Sequence, residues 1–229
     1  MKLFLWSFIC ALFISTSAIA GVDKVYYPYV HEGELEIETR AVHNFDDEDE
    51  HKVRFGVGYG VNSFWYVEGY LIGKQETGGQ FDIVDIELEN KFQLTEQGEY
   101  WLDAGFLVEL EKSTDGDVWE VVAGPLFQKQ FNDWVATTNF FVEKKFGSDI
   151  STRGVELKGA AQLKYRLSPG LEPALEYYGD EDAHSIGPAM LGKTRWGNTP
   201  VKWEIGAYAG LNDDAPDFTF RWLLEWEFY

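Results

Sequence analysis

The chain has 229 residues, with 39 acidic against 19 basic side chains and a formal net charge of −20. That acidity excludes nucleic acid as a natural partner, because attraction to phosphate needs a basic surface. It suits divalent cations, a cationic ligand or plain colloidal solubility. The single cysteine, Cys10, falls in a segment expected to be removed, so neither a disulfide nor a thiolate metal site is expected.

Residues 1–20 read as a secretory signal peptide. Lys2 gives a short positive region, Leu3 to Ile14 an apolar run, and Ala18-Ile19-Ala20 a small-x-small cleavage site before Gly21. Cleavage is expected after Ala20. The apolar run is too short for a comfortable transmembrane helix, and Cys10 lacks the small residues of a lipoprotein box. Removal takes away Lys2 and no acid, so the net charge moves from −20 to −21. The remaining residues suit one large all-β domain. Residues 21–33 are set apart as a periplasmic N-terminal segment, and 34–229 as a barrel. No apolar stretch after Gly21 approaches a spanning helix, so membrane embedding requires a closed barrel.

Twelve segments alternate in the period of a strand, each bounded by turn residues. Glu34 to His43 sets Glu36, Glu38 and Arg40 opposite Leu35, Ile37 and Thr39. Lys52 to Val61 sets Arg54 and three glycines opposite Val53, Phe55, Val57 and Tyr59. In Phe64 to Lys74, Tyr66, Glu68 and Tyr70 share the polar face. In Phe81 to Leu94, Asp85, Glu87, Glu89 and Lys91 do so. Tyr100 to Glu111 contributes Asp103 and Glu109, Val118 to Gln130 contributes Glu120 and Gln128, and Trp134 to Lys145 contributes Asn139, Glu143 and Lys145.

Gly154 to Arg166 adds Glu156, Lys158 and Lys164. Leu171 to Tyr178, with Glu176, and His184 to Lys193 are weaker, because Pro173 and Pro188 remove ladder donors. Val201 to Leu211 carries Glu204. Asp217 to Phe228 closes the series. There Phe218, Phe220, Trp222, Leu224, Trp226 and Phe228 form one face, and Arg221, Glu225 and Glu227 stand on the other.

An even number of antiparallel strands puts both ends on the periplasmic side. The connections at 46–50, 76–79, 113–117, 147–153, 179–182 and 212–214 then lie outside. Those at 62–63, 95–99, 132–133, 168–170 and 194–199 lie inside. Acidic residues concentrate in the outer class, which played no part in choosing the strands.

A soluble barrel would turn its apolar face inward, whereas a membrane barrel turns it to lipid and holds its charges in the lumen. The signal peptide, aromatic excess and terminal aromatic strand favour the second. The expected fold is therefore an all-β, antiparallel transmembrane barrel of about twelve strands in the outer membrane of a Gram-negative bacterium. Trp65, Trp101, Trp119, Trp134, Trp203, Trp222 and Trp226 are placed to supply interfacial girdles.

Through Leu94 to Trp101, Ile186 to Gly192, Glu204 to Leu211, Ala215-Pro216-Asp217 and Arg221 to Phe228, the chain resembles a family of small Gram-negative outer-membrane barrel proteins. The resemblance covers most of the mature chain, and its motifs specify strands and turns rather than chemistry. More distantly, Tyr165-Arg166-Leu167 to Glu176-Tyr177 resembles the copper resistance B barrels. That family has a Met- and His-rich leader, where this chain has one mature methionine, Met190, and four scattered histidines.

The expected function is a passive channel or small-solute transporter with a charged, mildly cation-favouring lumen. The alternative is a closed structural or adhesive barrel whose acidic outer loops bind divalent cations or a partner. An envelope hydrolase ranks last: His184 and Ser185 are neighbours facing opposite ways, and no catalytic residue is assigned. Both an open lumen and one filled by a paired network satisfy the pattern, and no separate plug domain is visible. No cofactor is expected beyond calcium or magnesium at the outer loops, for which Asp46, Asp47, Asp49, Asp180, Asp182 and His184 are the candidates. Expected partners are outer-membrane lipid, lipopolysaccharide and the barrel-assembly machinery, with the protein monomeric.

Overall fold

The computed structural model describes residues 21–46, 50–76, 78–150, 154–168 and 170–229. The signal peptide and its cleavage site lie outside them. Alternation becomes strand at every expected place: β1 (Leu35–Phe45), β2 (Glu50–Asn62), β3 (Trp65–Glu76), β4 (Asp82–Gln93), β5 (Asp103–Ser113), β6 (Val118–Phe131), β7 (Trp134–Gly147), β8 (Val155–Tyr165), β9 (Glu172–Gly179), β10 (His184–Trp196), β11 (Thr199–Gly210) and β12 (Phe218–Phe228). Each strand pairs antiparallel with its sequence neighbours, and β1 pairs with β12 from Leu35↔Phe228 to Phe45↔Phe218. The sheet is thus a closed barrel with no free edge.

Most connections are short. Asn132 takes a left-handed φ of 54° in the turn between β6 and β7, a conformation asparagine tolerates better than most residues. The fifth strand starts at Asp103 rather than Tyr100, because the preceding residues form a turn in which the Gly98 N–H donates to Asp103 Oδ1 at 2.7 Å. Both suspect prolines lie within strands. The β10–β11 ladder skips Gly187 and Pro188, while Pro188 stays opposite Leu175 of β9. The missing N–H therefore interrupts the ladder on one side only.

The two faces sort as the alternation requires. Phe55, Val57, Leu71, Ile86, Leu88, Phe140, Val142, Leu157, Leu175 and Ile205 are exposed large apolar residues on the outward face. In water such a belt would be an aggregation liability, whereas in a bilayer it is solvated by lipid. On the inward face Glu38, Arg40, Glu68, Glu89, Glu176 and Arg221 are all buried.

The lumen holds more than wall side chains. Residues 21–33, expected as a periplasmic N-terminal segment, run inside the barrel together with Glu34 and bond to inward-facing residues of the strands. Val22, Val25, Tyr26 and Val30 are buried there. Gly60 of β2 makes room for this course, while Gly56 and Gly58 give space to the Tyr66, Glu68 and Tyr70 side chains of β3. Gly33 N–H donates to Gly60 O (2.8 Å), and Gly60 N–H donates to Glu34 O (2.9 Å). A Cβ at Gly60 would lie 1.9 Å from the His31 carbonyl oxygen.

Candidate functional site

The site is the lumen, and its floor is the N-terminal segment. Tyr26 makes a two-way bond with Asn139: its N–H donates to Asn139 Oδ1 (2.8 Å), and Asn139 Nδ2 donates to its carbonyl (2.9 Å). Three tyrosine hydroxyls then reach the wall, Tyr26 to Glu109 (2.9 Å), Tyr27 to Gln162 (2.9 Å) and Tyr29 to Asp103 (2.7 Å). The Val30 N–H donates to Gln93 Oε1 at 2.8 Å. Charge adds to this. Asp23 pairs with Arg40 (3.2 Å) and Arg54 (3.5 Å), and Lys24 pairs with Glu38 (2.5 Å). The segment is therefore fastened to β1, β2, β4, β5, β7 and β8.

Above this floor lies a cavity of about 540 Å³ that reaches Asn44, Glu50, Ser113 and Gly179, at the barrel end opposite Leu35 and Phe228. Its acids are Asp23, Glu50, Asp85, Glu87, Glu109, Glu111, Glu120 and Glu143, and its bases are Lys24, Arg40, Lys52, Arg54, Lys74, Lys145 and Lys158. Eight acids against seven bases make this vestibule nearly balanced. Glu143 pairs with Lys158 and, at 3.5 Å, with Lys145.

The arc from β8 to β12 is a closed network around Arg221. Its guanidinium pairs with Glu176 (3.0 Å) and Glu204 (2.9 Å) and also donates to the Tyr178 hydroxyl and the Asp23 carbonyl. Glu176 accepts further bonds from Tyr208 (2.5 Å), Tyr178 (2.8 Å) and Gln162 (2.7 Å). The opposite arc is poorer in donors. Glu68, Glu89 and Glu109 stand directly opposite one another across β3, β4 and β5. Glu68 shares the single Tyr66 hydroxyl proton with the nearer Glu36 (3.0 Å against 2.5 Å) and Tyr26 donates to Glu109, whereas neither oxygen of Glu89 accepts a hydrogen bond.

At the barrel end that carries the start of β1 and the end of β12, a third group gathers where the two strands meet. Lys202 pairs with Glu225 (2.5 Å), Glu227 (2.7 Å) and Glu36 (3.6 Å). Tyr229, which breaks the outward aromatic row, leaves the strand, and its hydroxyl donates to Glu34 Oε1 at 2.7 Å. Burial pushes the Glu34 carboxyl up to about 7, against the opposing pull of that bond.

The remaining expected lumen residues take inward positions. Lys91 Nζ lies 4.7 Å from the centre of the inward Tyr66 ring, and Lys164 pairs with Glu172 at 3.0 Å. Glu156 of β8 stands opposite Glu143 of β7, and Asp85 lines the vestibule. The outer-loop candidates are more scattered. Asp46 is exposed, and Asp47 and Asp49 lie outside the described residues. Asp180 Oδ1 accepts the backbone N–H groups of Asp182 and Ala183, both at 2.8 Å. His184 Nδ1 meets the Tyr177 hydroxyl at 2.8 Å, while Ser185 is buried on the other face. In another outer loop the Ser148 N–H donates to Asp117 Oδ2 (3.0 Å) and holds that carboxyl below its usual range.

Sequence reasoning listed the lumen side chains but missed the plug and the row of carboxylates. The run Val25-Tyr26-Tyr27-Pro28-Tyr29-Val30, apolar and aromatic yet not alternating, was the signal for the first. The converging acidic groups among the described residues are Glu34, Glu36, Glu227 and Glu87, Glu89, Glu109, both inside the barrel.

No protein-family model matches the chain, and no curated protein matches its sequence. Solved structures do match its fold. The COG4313 outer membrane channel from Pseudomonas putida F1 aligns with a TM-score of 0.68 at 13% identity, over 91% of this chain and all (100%) of that one. The KdgM porin in complex with disordered oligogalacturonate aligns at 0.59 and 10% identity, over 85% of this chain and 99% of the porin. The translocator domain of the autotransporter NalP from Neisseria meningitidis aligns at 0.54 and 11% identity, over 86% of this chain and 88% of the domain. The apolar belt, the closed ring of strands and these neighbours agree: the chain is a twelve-stranded β-barrel of the Gram-negative outer membrane, set in its lipid.

Proposed function

We propose that the protein is a channel for small solutes with a mildly cation-favouring lumen, entered through the outer vestibule and occupied on its periplasmic side by residues 21–34. The observation that carries this reading is the division of the lumen. A cavity of about 540 Å³ is kept clear above, while Tyr26, Tyr27 and Tyr29 fill the space below. Passage then requires the segment to shift. The fold neighbours named a channel and a porin support the class. The porin complexed with oligogalacturonate holds a polyanion. This vestibule, with eight acids to seven bases and more buried acid beneath, suits small zwitterionic or cationic solutes instead.

Planar-bilayer recordings test it, using the refolded barrel with and without residues 21–33. The expected result is small conductance from the intact chain and larger conductance from the shortened one, with a reversal potential favouring cations. Silence from both, or firm anion preference, overturns the reading.

The density of the Arg221 network favours a second reading, a closed structural or adhesive barrel whose acidic outer loops bind divalent cations or a partner. Neutralising Asp46, Asp47, Asp49 and Asp180 together abolishes surface cation binding in that case and leaves it unchanged otherwise.

A further inference from the structure

We infer that Glu87, Glu89 and Glu109 form a calcium site inside the lumen, against the N-terminal segment and reachable from the vestibule. The inference does not depend on the channel reading. Four observations carry it. One ligand atom from each carboxylate lies within 4.8 Å of the other two, the spread of oxygens around an ion bound at about 2.3–2.6 Å. Glu89 is 1% exposed, yet neither of its oxygens accepts a hydrogen bond, and Glu87 Oε1 is equally unpartnered. Glu68, Glu89 and Glu109 are also in direct cross-strand register, where like charges repel most strongly. Finally, Glu87 and Glu109 line the vestibule, which gives an ion a way in without displacing residues 21–34.

Charge identifies the ion. Arg54 pairs with Glu87 at 2.6 Å and balances one of the three carboxylates. The nearby Lys24 is engaged by Glu38. Glu89 and Glu109 are then left without a direct ion-pair partner, and one divalent cation satisfies both. The ligands are all carboxylate oxygens, which selects a hard divalent ion, and calcium accepts such a set in a flexible geometry, whereas magnesium demands a near-ideal octahedron. Because the Tyr26 hydroxyl donates to Glu109, an ion here also bears on how the segment is held.

The test is isothermal titration of the refolded full chain with calcium chloride, with thermal unfolding in calcium and in chelator. The expected result is one saturable calcium per barrel and a higher Tm in calcium. In Glu89→Gln and Glu109→Gln, binding weakens by about tenfold or more, since affinity follows the charge count of the ligands. Asp46→Asn with Asp180→Asn leaves it intact. Absence of saturable binding overturns the inference, as does binding retained in Glu89→Gln or lost in the outer-loop variant. If Glu89→Gln does not fold, the unmodified chain still decides. A Tm indifferent to calcium means that the carboxylates share protons instead, which also overturns it.

Discussion

Two arcs of the same lumen treat the same residue type in opposite ways. Between β8 and β12, the buried carboxylate of Glu176 receives a guanidinium, two tyrosine hydroxyls and an amide. Between β3 and β5, Glu89 is buried to the same degree and accepts no hydrogen bond. Both arcs come from strands with the same polar-in, apolar-out alternation. The difference lies in where a base falls in the cross-strand register. Arg221 sits among the acids of its arc, whereas Arg54 reaches only Glu87 in the other. An inward charge is therefore not one kind of thing: in one arc it fastens the wall, and in the other it leaves capacity for a ligand.

The comparison is broken most forcefully by Arg221→Met. That change leaves Glu176 and Glu204 buried without their cation and is expected to cost about 3–5 kcal/mol in urea unfolding followed by tryptophan fluorescence. Adding Glu176→Gln should restore part of the loss. Gly60→Val comes next. Its Cβ would meet the His31 carbonyl, so the N-terminal segment must shift, at about 1–3 kcal/mol, with a rise in bilayer conductance.

Glu89→Gln sharpens the contrast from the other side. In chelator, the loss of an unpaired buried carboxylate is expected to stabilise the barrel by about 1 kcal/mol in the same urea assay. The smallest effect belongs to the mouth. Glu34 titrates at about 7 when folded, against an ordinary 4.5, so the folded barrel holds this proton more tightly than the unfolded chain. Its contribution is fully present below 4.5 and is lost as the pH rises through about 7. The urea midpoint should decline across that window, and Glu34→Gln should flatten the decline.

The wall was legible because alternation is a local property. Most strands appear in sequence as a face of aliphatic and aromatic residues set against a face rich in Glu and Lys, and even Pro173 and Pro188 only dimmed the signal. The contents of the lumen were less legible, because they depend on the stagger between strands. Nothing in Glu68, Glu89 and Glu109 taken singly says that β3, β4 and β5 align them in one row. Gly56, Gly58 and Gly60 read as a featureless polar face, although an inward glycine in a strand signals close approach by another group. Here the Gly60 position faces the backbone of residues 31–34. The segment itself has neither period 2 nor period 3.6, so no pattern assigned it a structure.

The seam between β1 and β12 has a consequence for how the molecule is made. Residues 21–34 lead directly into β1, and their bonds reach β5, β7, β8 and, through the Asp23 carbonyl, Arg221 of β12. Once the ladder from Leu35↔Phe228 to Phe45↔Phe218 has zipped, the wall admits nothing sideways. Biogenesis therefore has to wrap the last strand around a cargo already in place, or else thread a tail through a finished ring. Either route couples two events far apart in sequence, so completing the ring with its segment in place is a slow step.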